Sequence, residues 1–176
     1  MIKLRLDCKQ SGFKIKAVWV LTWYRLGNKI YYSKIPQTIK KILLTLLRIL
    51  QIILVEIPFN TEIPYKAIID GGLRLPHPYG IIIHRNTTIG KNCTIFHQVT
   101  IGAIEKQEIV KIAPQIGKNV YIGAGAKILG NIKVGNNVKI GANAVVTKDV
   151  PDKYTVVGNN ILINKNIKQK AMQIYK

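Results

Sequence analysis

A chain of 176 residues, 48% hydrophobic and 20% charged, makes one domain of ordinary size plus an appendage. Its 27 Lys and Arg against 8 Asp and Glu give a net charge of +19, which gathers anions near the surface. No recognised nucleic-acid motif or aromatic platform accompanies the lysines, so nucleic acid is not an expected partner; acidic saccharides, anionic lipid and cofactor phosphates all fit. Two cysteines, Cys8 and Cys93, exclude a disulfide framework. No N-terminal stretch joins a basic start, an unbroken apolar run and a small-residue cleavage site, which predicts a cytoplasmic protein.

In chain order, residues 14–32 suit a helix, and Pro36 can open a second one. Within residues 39–55, Lys41, Thr45, Arg48 and Gln51 recur at spacings of four, three and three. They form a narrow polar stripe on a helix that is apolar almost everywhere else. The apolar run is shorter than the ~20 residues a bilayer crossing needs, and Arg48 interrupts it. The expectation is a helix packed against the following domain or against neighbouring subunits. The alternative is peripheral membrane contact at the inner face, with the helix lying in the surface and Lys and Arg toward the headgroups. This helical segment is assigned to residues 1–56.

From residue 57 the rhythm changes to six. Aliphatic residues stand at Ile57, Ile63, Ile69 and Leu75, resume after two extra residues at Ile83, Ile89, Ile95 and Ile101, and continue from Ile116 through Ile122, Ile128, Val134 and Ile140 to Val146. Four places after each stands a mostly small or β-branched residue, such as Ala67, Cys93, Val99, Val120, Ala126 and Ala144. A period of six is the mark of hexapeptide parallel β-helices, and the glycines and missing 3.6 rhythm argue against an amphipathic helix. One six-residue strand per flat face, with three faces per turn, would stack the aliphatic residues into a continuous core. The fold class predicted is mainly β: a parallel β-helix over residues 57–160, preceded by the short α-helical segment. The fifteen-residue gap from Ile101 to Ile116 predicts an excursion loop at 103–115. Cys93 falls at an inward position, which predicts core packing. Residues 161–176 read as a tail that packs over the end of the coil.

Chemistry on such a coil comes from polar side chains at its outside. His77 and His97 are each the third residue of a repeat and lie twenty apart, one eighteen-residue turn plus the two-residue insertion. Their imidazoles should stand one above the other on turns about 4.8 Å apart, while His84 points elsewhere. Glu62 precedes His77 by fifteen residues and is a geometric possibility for holding the far ring nitrogen. A histidine with a carboxylate suits proton removal from an alcohol attacking an ester-like carbonyl. No GxSxG elbow, catalytic-cysteine motif or phosphate-cradling loop is present. The histidine spacings do not match a zinc-ligand pair, so no metal is expected.

The stretches GGLRLPHPYGIII (71–83), VTIG (99–102), IGAGAKILGNIKVG (122–135) and KIGANAVVTKDVP (139–151) resemble the serine acetyltransferase branch of the hexapeptide-repeat acyltransferases. That resemblance covers over half of the chain. It implies a left-handed coil, a homotrimer with active sites between subunits, and acetyl-CoA as cosubstrate in the cleft between neighbouring coils. His77 then carries over as general base and Glu62 as its dyad partner, with glutamate replacing the usual aspartate. Gly102, Ala103, Ala124 and Ala142 carry over as contacts of the pantetheine and thiol end, and Lys139 and Lys148 as candidates for the phosphates. His97 would contact the acceptor, tune the base or simply stack.

Two departures bear on the acceptor. Pro76 stands where the family has an acidic residue for the amino group of serine. Ile112, Ala113, Pro114 and Gln115 stand where the family has an Arg-His-Pro-Lys stretch whose histidine helps hold serine's carboxylate. The short form, with WYRLGN at 23–28 and a brief apolar helix, resembles acetyltransferases of capsule, exopolysaccharide or lipopolysaccharide assembly. The expectation is an acetyl-CoA-dependent O-acetyltransferase whose acceptor is a saccharide hydroxyl of a surface polysaccharide. Serine O-acetylation is the alternative within the enzyme class, and a basic polyanion- or membrane-binding assembly module is the non-enzymatic one.

Overall fold

The structure, a computed structural model, describes residues 2–104 and 113–164. Three helices open the chain: α1 (Ile2–Gln10), α2 (Ile15–Tyr31) and α3 (Gln37–Gln51). The last runs on through a π-helical turn, Ile52–Glu56, and a short helical turn, Ile57–Phe59. Asn60, in the left-handed region at φ 46°, ends it. The coil therefore starts a few residues later than expected, at Glu62, which pairs with Ile82 one turn on; Ile57 is 73% exposed on the helix.

Beyond that point the rhythm of six is the fold. Ile69, Ile89, Ile116 and Val134 lie in parallel register on one face. Ile83, Ile101, Ile128 and Val146 do so on the second, and Ile95, Ile122, Ile140 and Val156 on the third. All twelve are buried in one core. The strands are shorter than the six residues expected, mostly two or three long, because each repeat spends the remainder on a corner. Asn92, Gln98, Asn119, Asn137 and Asn143 take these corners with φ between 54° and 58°, a conformation that asparagine tolerates better than most residues. At Gly117 a Cβ would lie 2.7 Å from the Gly135 carbonyl on the next turn, so only glycine lets those rungs approach.

The helices plug the first turn. Ala17, Val20, Leu21 and Tyr24 of α2, with Val55, belong to the same core as the coil's interior. Asp7 of α1 is fully buried and accepts from Arg25 and from the N–H groups of Gly72 and Leu73, the latter two at 2.8 Å each. Arg25 also donates to the Ile69 and Asp70 carbonyls at 2.6 and 2.7 Å. This buried pair joins α1, α2 and the coil.

Helix α3 turns the later part of its polar stripe, Arg48 and Gln51, toward the coil, while Lys41 and Thr45 stay exposed along a groove. Gln51 is buried and donates to the Ile63 carbonyl at 3.4 Å, and the Tyr65 hydroxyl donates to the Leu47 carbonyl at 3.1 Å. Burial pushes the Tyr65 hydroxyl up to about 12. Ile39, Ile42, Leu46, Ile49 and Ile53 face outward, each at least half exposed. The helix does pack on the coil, but through its polar side.

Cys93 is buried as expected, its thiol donating to the Gly117 carbonyl at 3.2 Å. Burial pushes it up to about 11, so thiolate is scarce near neutral pH. The native protein should leave Cys93 unreacted with Ellman's reagent near neutral pH and expose it on unfolding in guanidinium. Rapid native reaction at Cys93, located by peptide mapping, would contradict this packing.

The chain leaves the coil after Gly102 and re-enters at Gln115, as the gap predicted; residues 105–112 of the expected loop lie outside the described residues. At the far end, Ile161–Asn164 pairs antiparallel with Tyr154–Val157 instead of opening a tail. Asn160 (φ 56°) closes this hairpin and accepts from the Thr147 N–H at 2.8 Å. Residues 165–176 of the expected tail lie outside the described residues.

Candidate active site

A flat rung ends in a corner, and corners stacked in register make an edge. Arg74 pairs with Thr94, and Ile95 lies in register with Ile122 and Ile140. Two residues further along each rung, His77, His97, Ala124 and Ala142 therefore line one edge. Backbone bonds confirm the stacking: Gln98 N–H to Tyr79 O at 2.8 Å, Gly125 N–H to His97 O at 2.9 Å, and Asn143 N–H to Ala124 O at 2.8 Å.

The two imidazoles meet as the spacing predicted, with ring centroids 5.8 Å apart and planes at 86°. His77 is exposed and His97 half-buried. His97 Nδ1 is itself buried and has no hydrogen-bond partner among the described residues. Both rings line a cavity of about 520 Å³ with Phe59, Asn60, Tyr79 and Gln98. Lys127 donates to the carbonyl of Gln98, one of the lining residues, at 2.8 Å and to Thr100 Oγ1 at 3.1 Å. Phe96 packs 6.3 Å from the His77 ring. Phe59 stands against Tyr79 at 5.4 Å and accepts from the Gly80 N–H at 2.9 Å. Sequence reasoning missed this aromatic lining. Its signals were the Phe96-His97 dipeptide and Phe59, eighteen residues before His77.

Glu62 is not brought to His77. Its N–H donates to Ile81 O and its carbonyl accepts from Ile83, which fixes it on the neighbouring face. Its carboxylate, half-exposed, comes within 4.0 Å of the Arg48 guanidinium, and Arg48 also pairs with Glu56. Among the described residues Glu62 makes no hydrogen bond to either histidine. It lines a separate groove of about 1210 Å³ beneath α3, with Lys40, Lys41, Arg48, Lys66 and Arg85. The expected dyad is thus unformed here, because a cation on the opposite side of the carboxylate holds it.

The other expected contacts divide between positions. Gly102 lies in register with Leu129, and the Gly130 N–H donates to Gly102 O at 2.9 Å; Ala103 follows. Val146 pairs with Ile128, so Lys148 two residues on belongs to that same second edge. His84 also sits there, away from the other histidines as expected. Lys139 is exposed in the middle of a face, in register with Tyr121 and Thr155. One chain does not gather Gly102, Ala103 and Lys148 beside His77, Ala124 and Ala142. Two copies, edge against edge, can. Ala124 and Ala142 leave the first edge free of long side chains above the histidines, which suits a thin, flexible ligand arm. Among the described residues no cluster of His, Cys, Asp or Glu could hold a metal ion.

The family described as bacterial transferase hexapeptide (six repeats) matches residues 113–148. The serine acetyltransferase of Synechococcus elongatus is 38% identical over 138 residues, 78% of this chain and 52% of that one. Among solved structures, the Neisseria gonorrhoeae serine acetyltransferase is 30% identical with a TM-score of 0.78, covering 93% of this chain and 67% of that one. A serine acetyltransferase solved in complex with CoA is 26% identical with a TM-score of 0.73, covering 92% and 66%. The chain spans about half the length, or less, of the curated relatives it matches. These relatives carry the name serine acetyltransferase, so the expected kinship with capsule and exopolysaccharide enzymes finds no support in them.

Proposed function

We propose, from the premise that this chain belongs to the hexapeptide-repeat transferase family and is related within it to serine acetyltransferases, that it is an O-acetyltransferase using acetyl-CoA. The observation that carries the reading is the edge itself: an exposed His77 stacked under His97, beside a cavity and below the bare positions Ala124 and Ala142. In the reaction a ring nitrogen of His77 takes the acceptor hydroxyl's proton as that oxygen bonds to the thioester carbonyl carbon. The tetrahedral intermediate collapses, the carbon–sulfur bond breaks, and the imidazolium returns its proton to the departing thiolate. The oxyanion requires a donor, and the backbone N–H groups near Gly102 and Ala103 of a second copy are the proposed source. The working assembly is a homotrimer of left-handed coils in which each cleft joins two unlike edges. In it Glu62 would exchange Arg48 for the far nitrogen of His77 when substrate binds, and Lys139 and Lys148 would meet the phosphates.

The acceptor proposed first is L-serine, because the relatives are serine acetyltransferases. One observation favours a second reading, an uncharged hydroxyl acceptor such as a saccharide. Buried Pro76 precedes His77, Ala113 and Pro114 are buried where the family's loop carries charge, and among the described residues no acidic side chain lines the cavity. A buried ammonium or carboxylate without its partner costs several kcal/mol, roughly 3–5. A CoA-release assay across L-serine, homoserine and mono- and oligosaccharides decides between them. Fastest turnover with L-serine supports the first reading and fastest turnover with a sugar the second. Release of CoA with none of them would remove the acetyl-transfer proposal.

A further inference from the structure

The run Gln37–Phe59 is long and apolar enough to cross a membrane, yet only 11% of its most apolar stretch is buried. At 1.5 Å per residue it is about 34 Å long. The chain fastens it along one side: Lys40 Nζ donates to Ser33 O, the Tyr65 hydroxyl to Leu47 O, Gln51 to Ile63 O, and the Trp19 indole to Leu54 O. A helix tied at four points along its length to one protein surface is not free to span a bilayer. Its other side is aliphatic; Trp19, bonded to Leu54, is 43% exposed beside it, and Phe13 and Ile15, just before and at the start of α2, are 71% and 85% exposed.

Charge decides what covers this face. Residues 1–59 hold eleven Lys or Arg and two acids, Asp7 and Glu56, both occupied internally by Arg25 and Arg48. Lys14 precedes Ile15 and Lys34 and Lys41 stand around the first turns of α3, all three exposed, while Lys40 is tied to Ser33 and the Lys16 ammonium lies over the Tyr79 ring. A second copy of the same face would bring one cationic rim against another. An anionic surface with an apolar interior matches both features at once.

We propose that the outward face of α3 and its continuation docks the protein on an anionic bilayer, lying parallel to the membrane plane with the lysines at headgroup level. The proposal does not depend on the acetyl-transfer reading. The test is co-sedimentation of the full chain with vesicles of phosphatidylcholine alone or mixed with phosphatidylglycerol. The double variant Leu46→Glu/Ile53→Glu changes two outward residues that line neither the histidine cavity nor the groove beneath α3; circular dichroism confirms its fold. The expected result is binding to the mixed vesicles, stronger than to phosphatidylcholine, and at least about tenfold weaker in the variant. Absence of binding to the mixed vesicles overturns the proposal, and so does equal binding to both vesicle types. Unchanged binding by the variant would reduce it to bulk charge attraction and overturn the docking face. A wild-type assembly that the variant splits, with no vesicle binding, would assign the face to a second copy instead.

Discussion

His77→Ala is expected to lower kcat for acetyl transfer by about 10²–10⁴-fold, the usual contribution of a positioned general base. The side chain is exposed at an edge and contributes nothing to the core, so the variant should melt where the parent does. That separation matters, because loss of activity through unfolding would say nothing about chemistry. His97→Ala is the informative companion. A stacking role predicts a small change in both kcat and KM, whereas acceptor contact by the ring, which lines the cavity, predicts a raised KM. Undiminished CoA release in His77→Ala would contradict the assignment, whatever the acceptor.

The largest effect on stability is expected at the opposite end of the chain, from Asp7→Ala. Asp7 is fully buried, and its removal leaves the Arg25 guanidinium, 8% exposed, without its carboxylate and two backbone N–H groups without an acceptor. Breaking such a pair costs about 3–5 kcal/mol, which for a chain of this size lowers Tm by roughly 6–20 °C. The internal comparison is Asp70→Asn, which breaks the solvent-exposed pair with Lys3 and should cost less than about 1 kcal/mol. Thermal unfolding followed by circular dichroism measures both. Equal melting of the two variants would show that α1 is not held as described.

The coil was readable from its sequence because a period of six leaves an unambiguous trace. Ile122, Ile128, Val134 and Ile140 had no other regular arrangement that would bury them all, and each is buried at the position the count assigns. The meeting of His77 with His97 followed from the same counting, since rung register converts sequence separation directly into height along the coil. The strands fall short of six residues because each repeat turns a corner, which asparagine marks at Asn92, Asn119, Asn137 and Asn143. Helix α1 left no trace: IKLRLDCKQ has no amphipathic pattern, and what holds it is Asp7 reaching backbone groups some 65 residues away.

The side of α3 that packs was equally illegible. A polar stripe on an apolar helix ordinarily faces water, and here Arg48 finds Glu56 and Glu62 while Gln51 finds a backbone carbonyl, so polar partners within the fold took precedence over solvent. The same contact explains why spacing placed Glu62 near His77 and the structure does not. A distance of fifteen residues fixes where a backbone lies, not which neighbour a flexible carboxylate meets, and here Glu62 comes within 4.0 Å of Arg48. Acceptor identity is read from charges placed around the base. Pro76 and Ala113 subtract such charges without naming a replacement.

The most direct test of the whole account is a crystal structure of the full chain with CoA bound. Pantetheine is expected to lie between two copies, over Ala124 and Ala142 of one and against Gly102 of the other, with its sulfur within hydrogen-bonding reach of a His77 ring nitrogen. Pantetheine held by a single chain, or a sulfur remote from the His77–His97 edge, would contradict it.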